Sequence, residues 1–267
     1  MKIYISADIE GTADIFTWEE AVPGSEEYKK ACRQMTAEVA AACAGANKAG
    51  AAEIWVHDAH LHGKNIAHES LPDNTVLVRG FSGHPYGMLQ ELNDSFDAVI
   101  LLGCHSEAGS GANPLSHTIT RRIHRLRING TPASEMMLSM YTTAYLGVPV
   151  VLVSGDQAVC DVCREISPQT ATVATKSGHG DSVICSHPDR VCRLIADETE
   201  AVLKKNLPRG QRELPGKFRV EVEFKDHGAA YRASFYPDIE TSAPTTVVYK
   251  TKEFFEVLRM LHFVLKA

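Results

Sequence analysis

Two acids, Asp8 and Glu10, close an apolar run, KIYISADIEG, that otherwise reads as a buried strand. Two apart on a strand, their side chains point to one face. Like charges held that close, at the end of a core-bound strand, repel and lose hydration, which costs several kcal/mol unless a cation compensates. Imidazoles supply complementary chemistry. Eight of the twelve histidines lie between His57 and His124. EIWVHDAH ends in His57, Asp58 and His60, and FDAVILLGCH ends in His105. Carboxylates and imidazoles arriving from three strand ends make a divalent-metal site, and mixed N/O ligation suits zinc or manganese better than calcium.

Each residue alone has a simpler reading. A single acid at a strand end is usually a helix cap or turn former, and a single His60 or His105 is usually a hydrogen-bonded buried imidazole. Glu135 falls in the first turn of a helix, where the dipole favours a carboxylate. His117 follows the glycine-rich loop EAGSGANP (107–114) and belongs either to a mobile active-site segment or to a solvated turn. The combination, not any one residue, points to a metal.

Such a set needs a scaffold that brings distant segments together. Short β-rich runs at 2–9, 52–59, 75–80 and 96–105 alternate with helical text, first over Ser25 to Ala49, which is the signature of βαβ units and a mainly parallel sheet. Ligands of such sheets sit outside the carboxyl ends of the strands, where these acids and histidines fall. Gly11 fits as the residue that turns the chain sharply away. HRLRING (124–130) reads as one arm of a hairpin, and 132–147 as a helix opening on Pro132 and closing on Gly147. A buried strand (148–156) and a helix (188–205) follow. Composition then shifts at NLPRGQRELPGK (206–217). Beyond it FRVEVEF alternates like a half-exposed strand, TTVVYK is a second, and EFFEVLRMLHFVLK is an apolar helix. The expected fold is α/β, a three-layer Rossmann-like mainly parallel sheet with a smaller α+β C-terminal domain. The expected division is 1–208, metal-binding and catalytic, and 209–267, packing with the 108–131 segment.

With 267 residues, net charge −6, 44% hydrophobic and 22% charged residues, the chain has the composition of a soluble globular protein with no basic footprint for nucleic acid or an anionic membrane. It opens without a basic region followed by an apolar one, and no apolar run approaches the roughly 18 residues of a membrane span, so a cytoplasmic protein is expected. The seven scattered cysteines, odd in number, read as reduced thiols. CDVC, Cys160 to Cys163, lacks a second pair for zinc and sits in an amphipathic pattern. ADIEGTAD lacks the glycine fingerprint of a dinucleotide-binding enzyme.

In order and spacing, KIYISADIEG, EIWVHDAH, LLGCH with SHT twelve residues on, INGTPASE, VPVVLVSGD and, more loosely, TTVVYKTKEFFEVL resemble the zinc-dependent D-aminopeptidases of the DppA type. The resemblance spans nearly the whole chain. It implies two zinc ions per subunit, with Asp8 bridging them, Glu10 and His60 completing one ion's ligands, and His105 and Glu135 serving the other. His117 matches the family's catalytic histidine. The implied reaction removes N-terminal, D-configured residues from short peptides, a metal-activated water attacking the peptide carbonyl while His117 serves as acid/base or nucleophile. A homo-oligomer, a decameric ring with sites facing an inner chamber, is also implied. Cys104, His57 and one extra residue between His105 and His117 depart from the family's pattern. The rival readings are another two-metal amidohydrolase or phosphoesterase, and a non-catalytic assembly protein of the same fold.

Overall fold

The computed structural model describes residues 1–205 and 213–265. The boundary expected at 208/209 lies outside them. In chain order the elements begin with β1 (Lys2–Ala7), α1 (Trp18–Ala21), α2 (Glu26–Lys48), β2 (Glu53–Asp58), β3 (Thr75–Arg79), β4 (Ala98–Cys104), β5 (Ile123–Ile128), β6 (Thr131–Pro132) and α3 (Glu135–Leu146). They continue with β7 (Val150–Asp156), α4 (Gln157–Ile166), β8 (Ala171–His179), β9 (Ser182–Cys185), α5 (Pro188–Leu203), β10 (Phe218–Phe224), α6 (His227–Ala233), β11 (Ile239–Ala243), β12 (Thr246–Thr251) and α7 (Phe254–Val264).

Seven strands form one sheet in the order β3-β2-β1-β4-β7-β8-β9, parallel except for the edge strand β9. The chain builds outward from β1 to β3, then returns to the other side of β1 for β4. The order therefore reverses between β1 and β4, and a crevice opens at their carboxyl ends. Strand alternation fills both faces. Ile3 and Ile5 pack with Met35 and Val39 of α2 and Val191 and Ile195 of α5. Tyr4, pointing the other way, packs with Met136 and Met140 of α3 and with Val159 of α4. This is the three-layer α/β fold that the pattern predicts.

The second sheet, β11-β12-β10-β5-β6, is antiparallel. Its core draws Val220 and Val222 of β10, Leu126 of β5 and Val257 and Leu261 of α7 together with Tyr141 of α3. The expected hairpin arm is β5. Pro132 does not open the helix: it pairs with Arg127 in β6, and Ser134 caps α3 by accepting from Met137 N. The strands β8, β9 and β11 and helix α6 are additions to the sequence reading. All seven cysteines are free, with Cys160 and Cys163 buried in α4. Among the described residues no helix is long and apolar enough to cross a membrane.

Backbone touches backbone where β1 and β4 end. Gly11 N donates to Gly103 O at 2.8 Å, and a Cβ on Gly11 would stand 1.9 Å from Cys104 O. Gly103, with φ +65°, would place its own Cβ 2.0 Å from Asp8 O. Gly11 lies in a turn, as expected, and close approach to β4 is a further reason for glycine there. Gly11→Ala is expected to lower unfolding stability by about 3 kcal/mol or more, because the obstructing atoms are main chain and cannot step aside. Urea denaturation measures this.

Candidate metal centre

The strand ends at Ala7, Asp8 follows it outside any regular element, and Ile9 and Glu10 lie in a bend and a turn. The two acids meet because the chain folds back there, and strand alternation is not the cause. Ile9 N donates to Asp8 Oδ1 at 2.9 Å and Thr12 Oγ1 donates to Asp8 O, which holds the bend. His60 follows β2 and stands with its Nδ1 3.1 Å from Asp8 Oδ1 and 3.1 Å from Glu10 Oε2. His105 follows β4, its Nε2 3.6 Å from Asp8 Oδ2 and 3.5 Å from Glu135 Oε1. Glu135 opens α3. His117 lies with Nε2 3.7 Å from Glu135 Oε1, and its ring stacks on that of His105 with centroids 4.3 Å apart. All six residues singled out in the sequence converge in one place.

The three imidazoles share one design. His60 Nε2 donates to Ala21 O at 2.6 Å, His105 Nδ1 to Ser106 O at 2.9 Å and His117 Nδ1 to Leu115 O at 2.9 Å. A carbonyl only accepts, so each of these nitrogens carries the hydrogen. The other nitrogen of each ring turns towards carboxylate oxygens, which also only accept. Lone pair facing lone pair is repulsive unless a proton or a cation lies between, and a ring held this way by a backbone carbonyl is the usual support of a metal-ligating histidine. Two of the facing atoms, His105 Nε2 and Glu10 Oε2, are buried without a hydrogen-bond partner. The ligand atoms of Asp8, Glu10 and His105 lie within 4.8 Å of one another, as do those of His105, His117 and Glu135. The donor set therefore fits a divalent cation, and His105, with one free lone pair on Nε2, belongs to both candidate groups.

Without a cation, protons take its place. Burial, reinforced by Glu10, pushes the Asp8 carboxyl up to about 8. Burial opposes charge on His60 and His105, but Glu10 overrides it at His60 and Glu135 at His105, holding them up to about 11 and about 10. Burial works against ionised Glu10 and Glu135 too, yet His60 and His105 respectively pull them below the ordinary carboxylate range. His117 goes the other way: burial, then the charge of His105, lowers it. It is also the most open of the three rings, at 13% against 5% and 1%. A cavity of about 530 Å³ reaches this centre, with Asp8, Glu10, His60, His117 and Glu135 at one end and the apolar Leu138, Leu258 and Leu261 in its wall.

A family profile described as D-aminopeptidase matches residues 1–263. The chain belongs to the D-aminopeptidase family. It is 28% identical over 263 residues to the D-aminopeptidase of Bacillus subtilis (strain 168), covering 98% of this chain and 95% of that one. The solved structure of the Zn-dependent D-aminopeptidase DppA from Bacillus subtilis, described as a self-compartmentalizing protease, superposes with a TM-score of 0.91 at 28% identity. It covers 100% of this chain and 97% of that chain.

In this D-aminopeptidase family member, two residues grouped with His60 in the sequence do other work. Asp58 is fully buried and accepts from Asn65 N, Asn65 Nδ2 and Ile66 N at 2.6, 2.6 and 2.9 Å, shaping the loop that presents His60. His57 faces away, its nitrogens 2.8 Å from Met88 O and 3.1 Å from Gly80 O. Asp156, at the end of β7, is not among the residues expected from the sequence. Its carboxylate accepts from Ser106 N, Ser106 Oγ and Asn113 Nδ2 at 2.7, 2.7 and 3.1 Å and caps α4 through Val159 N, fixing the segment after His105. An acid closing the apolar run VPVVLVSGD was the available signal.

Proposed function

We propose that this chain is a zinc-dependent aminopeptidase that removes N-terminal D-amino acids from short peptides, with two zinc ions in each subunit. The observation that carries this reading is the shared aim of three imidazole lone pairs into three carboxylates. Asp8, lying between the two groups, would serve both ions, Glu10 and His60 would complete one, and His105 and Glu135 the other. Zinc in such a centre supplies Lewis acidity and water made acidic enough to ionise near neutrality. The remaining work belongs to the chain. The carboxylate-rich end of the cavity receives the free ammonium that defines a peptide's N-terminus, and the leucine-lined wall takes the apolar part of the substrate. His117 faces the cavity, and its burial disfavours the protonated ring. Its Nδ1 hydrogen bond to Leu115 O leaves Nε2 to accept a proton and return it to the leaving amine.

The name of the DppA relative supports zinc and an enclosed assembly. We extend both to this chain, as a homo-oligomeric, decameric ring in the cytoplasm. A panel of D- and L-aminoacyl p-nitroanilides run beside a phosphoester tests the reading: hydrolysis of the D-aminoacyl compounds is expected. Turnover of the phosphoester alone would replace it with the phosphoesterase reading.

A further inference from the structure

Glu10 stands on a segment, residues 8 to 17, that has no helix or strand of its own before α1. Its carbonyls turn inward, away from water, where each needs a donor. Lys176, in the middle of β8 and only 3% exposed, supplies them: its Nζ donates to Glu10 O at 2.6 Å, to Thr12 O at 2.9 Å and to Ile15 O. An ammonium has three donors, so its capacity is filled by this one segment. The preceding residue joins in, Thr175 Oγ1 donating to Gly11 O at 2.6 Å. From the other side, Asn113 Nδ2 donates to Glu10 O at 3.4 Å. Four carbonyls between residues 10 and 15 are therefore fixed by two consecutive side chains of a strand that contributes none of the candidate ligands.

We propose that Lys176, assisted by Thr175, is a positioning residue that holds the Glu10 segment in the shape in which its carboxylate binds metal. A buried lysine held by carbonyls does two things at once. It sets the path of the main chain on both sides of Glu10, and it brings a positive charge close to the carboxylates of Glu10, Asp156 and Glu38. The inference rests on the two-zinc reading and extends it to a residue outside the ligand set. Residues that orient metal ligands cost about 10–100-fold in metal affinity when removed. Lys176→Met keeps the length and the apolar stem while removing all three donors, so the affinity for the ion that uses Glu10 is expected to fall by a factor in that range. Val173→Ala, three residues back on the same strand and in the core, loosens β8 while keeping every donor to the segment's carbonyls and is expected to leave zinc affinity unchanged.

The test is a chelator-competition titration with zinc on full-length wild type, Lys176→Met, Thr175→Val and Val173→Ala, together with the visible absorption of the cobalt-substituted proteins. The expected result is two zinc ions in wild type, one of them weakened in Lys176→Met with a changed cobalt spectrum. Thr175→Val, which keeps the charge and nearly the shape, should show a smaller weakening, and it carries the test alone if Lys176→Met does not fold. Unaltered affinity in the folded variants, or equal weakening in Val173→Ala, would overturn the positioning role while leaving the metal centre standing. A wild type that binds no zinc would overturn both.

Discussion

Asp8→Asn should remove zinc from the protein and with it nearly all turnover. Asn keeps the side chain's shape and can still accept from Ile9 N, but it offers one neutral oxygen where the proposed bridge needs two charged ones. Losing the metals removes several kcal/mol of transition-state stabilisation, so kcat/KM on a D-aminoacyl substrate should fall about 10³-fold or more. The metal-free protein should respond in the opposite sense. Asp8 titrates at about 8 in the folded chain because it is buried beside Glu10, against 3.8 ordinarily. Its ionisation therefore opposes folding, and metal-free stability is lost as pH rises from about 4 towards 8. Asn carries no such charge. Thermal unfolding in a chelator should show Asp8→Asn gaining on wild type between pH 5 and pH 8. Loss of folding in the metal-free variant, or full retention of zinc, would contradict this role.

His117→Ala should separate chemistry from metal binding. The ring lies between His105 and the cavity, and its Nε2 also faces Glu135. As a proton carrier its loss should cost about 10²–10⁴-fold in kcat with both zinc ions retained. Imidazole added to the medium should recover part of the rate by entering the vacated space. If one equivalent of zinc leaves with the ring, His117 is a ligand in company with His105 and Glu135. Unchanged turnover would remove it from the mechanism altogether.

Much of this centre was legible because its residues break the patterns around them. Asp8, Glu10, His60 and His105 are charged or titratable groups at the ends of apolar runs, and a parallel sheet collects strand ends into one crevice whatever the intervening sequence. Glu135 was marked by the helix it opens. What stayed hidden depends on contacts that a linear pattern does not record. The bend at Asp8 to Glu10 exists because Gly11 and Gly103 let two distant backbones touch. Nothing near either glycine announces the other. Lys176 lies in ATVATKSGH, where a lysine among alternating residues reads as solvent-facing. Its burial follows from carbonyls more than 160 positions away. His57 and Asp58 share a motif with His60, yet two more residues of chain send His60 into the crevice and leave Asp58 to brace its loop. Pro132 looked like a helix start because proline favours that position, but pairing with Arg127 claims it for β6.

Zinc titration of the metal-depleted wild type, with hydrolysis of a D-aminoacyl p-nitroanilide followed at each addition, tests the central claim most directly. The account predicts no turnover without metal and full recovery at two equivalents per subunit. Hydrolysis by the metal-free protein, or a folded wild type that takes up no zinc, would contradict it.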